Sequence, residues 1–79
     1  MPKILKVRTV EYGKLIVDAS DGTRYHSDLL GLSQRNNFPD EQQWKRVKID
    51  SYGIALVWPT HFQLHLGQIA GHAVKTESI

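Results

Sequence analysis

The chain has 79 residues, 41% of them apolar, no cysteine and a formal net charge of +2. That length supports one domain near the lower limit for folding without staples, and the missing thiols exclude a disulfide or thiolate–zinc framework while fitting a reducing compartment. So mild a charge excludes a surface built to neutralise many phosphates, and no stretch approaches the roughly 20 apolar residues of a membrane span.

Met1-Pro2-Lys3 enters strand-like sequence with no signal-peptide block, so a cytoplasmic protein is expected. Residues 4–10 are rich in β-branched side chains, and alternation predicts a strand with Leu5, Val7 and Thr9 on one face and Lys6 and Arg8 on the other. Tyr12-Gly13 supplies a turn, and residues 15–19 return as a second strand. Asp21-Gly22 marks another hairpin, residues 24–27 a third strand, and residues 28–32 a helical turn with Asp28 as its cap. After a polar stretch over 33–37, Pro39 and the acidic pair Asp40-Glu41 predict a short helix over 40–44 that turns Trp44 into the core. Residues 47–49 then read as a strand, Tyr52-Gly53 as a turn, and 54–58 as a central strand apolar on both faces. Strict alternation over 61–66 predicts a half-buried strand with Phe62, Leu64 and Leu66 inward, and 67–71 a single helical turn.

The second half echoes the first. Val7-Arg8, Tyr12-Gly13 and Ile16-Val17 recur forty residues later as Val47-Lys48, Tyr52-Gly53 and Leu56-Val57. At a spacing of thirty-seven, Tyr25 matches Phe62, Leu29 matches Leu66 and Leu32 matches Ile69, as if the second hairpin turn were three residues shorter. The expected fold class is α+β: two β-β-β-short-helix units about an approximate internal twofold, mostly antiparallel. Residues 1–71 form a single domain with the repeat over 4–32 and 44–71, and 72–79 are expected to be a frayed tail. Val7, Val17, Val47, Val57, Phe62 and Leu64 are the expected buried set.

Four stretches resemble a known family: Asp21-Gly22 before Asp28-Leu29, Trp44 before Val47-Lys48-Ile49, the 54–58 strand ending in Trp58-Pro59, and the 61–69 tail. Together, over about residues 4–71, they are similar to the domain of unknown function 2442 family of small bacterial proteins. The resemblance implies a compact α+β domain without an assigned catalytic site. Some members carry a helix-turn-helix, and free-standing ones resemble one half of a toxin–antitoxin-like pair. Thr60-His61 stands where the family often has Asp or Asn with Gly, and Gln63 near where an acidic residue is usual, which points to a different partner.

No catalytic constellation is visible. His61 and His65 fall on one strand face with His72 nearby, but a metal site needs three or four ligands and no carboxylate has matching spacing, so no metal or cofactor is expected. His26-Ser27-Asp28 holds triad residue types, yet neighbouring strand residues point to opposite faces. The reading is therefore a non-enzymatic protein-interaction module that binds a protein encoded nearby or another copy of itself. Its expected docking edges are the third strands, with Arg24, His26, His61, Gln63 and His65 as partner-binding candidates. The alternative is a nucleic-acid-associated regulator. It would use the basic hairpin residues Lys6, Arg8 and Lys14 with Lys45, Arg46 and Lys48, beside Tyr12 and Tyr52.

Overall fold

A computed structural model of the chain describes residues 2–74. Strands β1 (Ile4–Glu11), β2 (Lys14–Ala19) and β3 (Arg24–Asp28) form an antiparallel meander, followed by a 3-10 turn at Leu30–Leu32. Helix α1 (Glu41–Trp44) leads into a second antiparallel meander of β4 (Lys48–Ile49), β5 (Ala55–Val57) and β6 (Gln63–His65). Helix α2 (Leu66–Gly71) follows, and β7 (Ala73–Val74) adds to the first sheet beside β3, giving the order β1-β2-β3-β7. The class is α+β, as expected. Among the described residues, no helix is long and apolar enough to cross a membrane.

One core serves both sheets. Leu15 and Val17 from β2, Leu56 and Leu64 from the second sheet, Leu29, and Ile69 from α2 are fully buried in it. Trp44 stacks on Trp58 with centroids 5.1 Å apart, and Phe38 and Phe62 complete an aromatic column with Tyr12 at its end. Each indole N–H finds a backbone acceptor: Trp58 Nε1 donates to Trp44 O at 3.1 Å and Trp44 Nε1 to Lys14 O at 3.3 Å. Tyr12 Oη donates to Pro39 O at 2.7 Å, which ties the first turn to the start of α1. Asp40 caps that helix by accepting from Gln43 N at 2.8 Å.

Several details depart from the sequence reading. Leu5 does not face the core but is 65% exposed, because β1 carries two bulges. The register steps from Ile4↔Ala19 to Lys6↔Asp18, so Leu5 is extra, and from Thr9↔Leu15 to Glu11↔Lys14, so Val10 is extra. The first bulge shifts the phase of the strand, letting both Ile4 and Val7 face inward. Val17, Phe62 and Leu64 are buried as expected, whereas Val7, Val47 and Val57 are only half-buried. His61 is not in a strand; it sits in the turn before β6 with φ 69°. Ala73–Val74, placed by the sequence in a frayed tail, pairs with β3 through Ser27↔Ala73 and His26↔Val74. The rest of that expected tail, 75–79, lies outside the described residues.

The two meanders share strand order, but their loops differ from the expectation. The turn over 58–62 is not shorter than the one over 19–23. Ala19 N and Trp58 N donate to Thr23 O and Phe62 O at 2.9 Å each, and Gly22 N and His61 N donate back to Ala19 O and Trp58 O at 3.0 Å each. Most of the length is lost instead in the third strand, five residues in β3 against three in β6.

The first hairpin of the second meander is organised by Asp50, whose Oδ1 accepts from Ile54 N at 2.9 Å and Ala55 N at 3.4 Å. Burial pushes its carboxyl up, but the backbone donors of Ile54, Ala55, Gly53 and Tyr52 outweigh that and hold it below its ordinary 3.8. Asp18 is lowered chiefly by the Arg24 hydrogen bond, and Asp21 by the Thr23 backbone N–H. A folded carboxyl lowered in this way contributes stability above its unfolded pKa and loses it as pH falls through the folded value. The melting temperature should therefore hold from about pH 6 down to about pH 4 and then drop, with Asp50→Ala flattening the drop. Circular dichroism melts across that range check it; an unchanged acid slope in the variant would assign the effect elsewhere.

Candidate partner-binding edge

Sheet order decides where another chain can add. β3 lies between β2 and β7, so it is not the free edge the sequence suggested. Its Arg24 and His26 project from the solvent-facing side of the sheet, Arg24 opposite Asp18 and His26 opposite Ile16. β6 does end its sheet, and Gln63 and His65 are exposed there, but it is three residues long and runs straight into α2. His65 belongs to that helix start: its backbone N–H donates to Gln68 Oε1 at 2.9 Å in a capping box. The five expected partner residues thus divide among a sheet face, a turn and a short edge.

The long edge is β1. It has eight residues, and among the described residues no strand is hydrogen-bonded along its outer side, although β4 packs close to it. At its start the Ile4 N–H is taken by Gly53 O at 2.6 Å. Between the two bulges, Lys6–Thr9 pairs in unbroken register with β2, so this stretch presents regular backbone outward. Beyond it lies an open trough of about 700 Å³, lined by Thr9, Val10 and Glu11 together with Glu41, Lys45 and Arg46. The sequence reading missed the trough. Its signal was Val10, an apolar residue out of phase with the alternation of its strand and 62% exposed.

Charge along this edge is unequal. Val17 is fully buried opposite Val7, so Lys6 and Arg8, the neighbours of Val7, project from the solvent face. Asp18 stands opposite Lys6, but its carboxylate is held by Arg24, Nε to Oδ1 at 2.6 Å. Lys14 is engaged by Glu11 at 2.9 Å, whose hydrogen bond raises its pKa. Among the described residues Lys6 and Arg8 have no ion-pair partner. Of the second basic set, Lys45 and Arg46 border the trough, while Lys48 lies exposed on β4, opposite Val57.

The triad-like run is accounted for structurally. Ser27 is buried and its Oγ donates to Ile69 O at 2.9 Å, pinning α2 to β3; Asp28 Oδ1 accepts from Leu30 N at 3.1 Å. Neither side chain is hydrogen-bonded to His26. Among the described residues no three His, Cys, Asp or Glu side chains converge as a metal site would require.

No protein-family model matches the chain, and searches of curated proteins and of solved structures found no match.

Proposed function

We propose that this chain is a non-enzymatic protein-interaction module that takes an extended segment of a partner along β1. The observation that carries the reading is the coincidence of a long unpaired edge with the trough of about 700 Å³ at its end. Strand addition gives affinity through main-chain hydrogen bonds and specificity through the side chains that alternate beside them. The resemblance to a family with free-standing members supports a cytoplasmic partner encoded nearby, as in one half of a toxin–antitoxin-like pair. The two meanders with their shared strand order are proposed to be copies about an approximate twofold. In the experiment that tests this function, the partner co-purified from the native cell is added back and backbone amide exchange is followed. Protection should appear over Lys6–Thr9; protection confined to β6 or α2 would overturn the β1 assignment.

A second reading has one observation in its favour: Lys6, Arg8, Arg24 and His26 share the exposed sheet face, so a nucleic-acid-associated role is its natural function. Asp18 in their midst and the Glu11–Lys14 pair weaken it. Binding to duplex DNA should be weak at physiological salt, with a log–log salt slope no steeper than about −2 for the two unpaired cations. A steeper slope with tight binding would favour the regulator.

A further inference from the structure

We infer that the β1 edge is charge-selective: it rejects a second copy of this chain and accepts an extended segment with carboxylates at alternate positions. The inference rests on the strand-addition reading and names its partner class. Two strands pairing antiparallel about a twofold axis place residues of the same sheet face opposite each other. Over the regular stretch Lys6–Thr9, two registers overlap best. One sets Lys6 against Arg8 of the second copy, twice; the other sets Arg8 against Arg8. Both put like charges directly opposite, which destabilises a strand pair. The flanking bulges at Leu5 and Val10 prevent the pairing from lengthening to dilute that repulsion. A segment reading acidic–apolar–acidic reverses the sign. Its carboxylates meet Lys6 and Arg8 on the solvent face, while the residue between them points to the same side as Val7. Among the described residues the nearest acids are already engaged: Asp18, whose charge Lys6 and Arg8 also feel, is hydrogen-bonded by Arg24, and Glu11 is paired with Lys14. Past Thr9 such a segment enters the trough, where Lys45 and Arg46 stand beside Glu11 and Glu41, so the charge selection is made at Lys6 and Arg8.

The test is an NMR titration of the full chain with three capped synthetic peptides that alternate valine with glutamate, glutamine or lysine. The glutamate peptide should shift the Lys6–Thr9 amides and bind about tenfold more tightly than the glutamine peptide, from two cross-strand charge pairs. Lys6→Glu/Arg8→Glu should abolish that preference and favour the lysine peptide, with an unchanged circular dichroism spectrum. Equal binding of the glutamate and glutamine peptides would overturn charge selectivity and leave strand addition standing. Binding of none, with no shift over Lys6–Thr9, would sink strand addition and this inference with it. Displacement of the glutamate peptide by a mixed-sequence DNA duplex at physiological salt would overturn it in favour of nucleic acid. Self-association has its own check. The parent chain should sediment as a species without β1–β1 contact, and Lys6→Glu alone, which sets a carboxylate opposite Arg8 of a second copy, should promote such contact. Cross-linking through β1 in the parent chain and not in the variant would be the opposite result.

Discussion

Trp58→Ala should lower stability by about 3–5 kcal/mol, the range for deleting a large buried aromatic, and for a domain of this size that means loss of cooperative folding at room temperature. The indole is 1% exposed and stands in the middle of the aromatic column, stacked on Trp44 and tilted against Phe62. Its N–H donates to Trp44 O, so truncation also strands a backbone acceptor at the C-terminus of α1. Trp58 N and O-side neighbours close the 58–62 turn, and removing the ring takes away the packing that holds that turn against α1. Trp58→Phe keeps ring burial and loses the hydrogen bond, so it should cost distinctly less, about 1–3 kcal/mol. Urea denaturation of both variants checks the order. An Ala variant with an unchanged midpoint would mean that the ring carries no core packing.

The architecture was legible where it rests on local chemistry. Tyr-Gly at the first turn, Asp-Gly at the second and Asp40 before α1 each encode their own backbone within a few residues. The alternation of Phe62, Leu64 and Leu66 marked which side chains are buried, but not that the strand stops at His65 and Leu66 opens α2. Gly13, Gly22 and Gly53 all take positive φ, as turn glycines should. What escaped the sequence depends on partners far along the chain. β7 is two residues of ordinary composition and becomes a strand only because β3 offers it a ladder. The bulges of β1 are set by its register against β2, which alternation in β1 alone cannot show, although the adjacent apolar pair Ile4-Leu5 hints at a change of phase. The candidate edge was misplaced for the same reason. A short, half-polar third strand looks like an edge until β7 covers it, whereas β1 looks like a core strand until its neighbour count is known. Lys6 and Arg8 were recognised as a basic pair, but their lack of an ion-pair partner among the described residues follows from Arg24 reaching Asp18 across the sheet.

Gly13→Ala should cost about 2–4 kcal/mol, the sum of a strained backbone and an overlap with Leu30, and most of the overlap should be recoverable by a second substitution. Gly13 has φ +82°, a region where a Cβ meets the neighbouring carbonyl and costs about 1–2 kcal/mol. Added to that, an ideal Cβ would overlap Leu30 Cγ and lie 2.5 Å from its Cδ2. Leu30 is 40% exposed, but its backbone leaves little room to retreat. The 3-10 turn it belongs to is fastened by Leu29 N donating to Gly13 O at 2.7 Å and by Asp28 accepting from Leu30 N. The first hairpin turn and the 3-10 turn are thus docked face to face, and Tyr12, one residue earlier, locks the same turn to Pro39. Displacing it would disturb the end of β1 that borders the trough. Leu30→Ala alone should cost well under the value for a buried leucine, because much of its side chain already meets water. In the double variant the overlap vanishes and only the strain and the small cost of truncating Leu30 persist, so Gly13→Ala/Leu30→Ala should be more stable than Gly13→Ala. Gly22→Ala is the internal control, since it shares the positive φ but has nothing within 4 Å of the added carbon. It should show the strain alone, about 1–2 kcal/mol. Chemical denaturation of the four variants gives the answer directly. If Leu30→Ala brings no rescue, close packing of the two turns is not what requires glycine at this position.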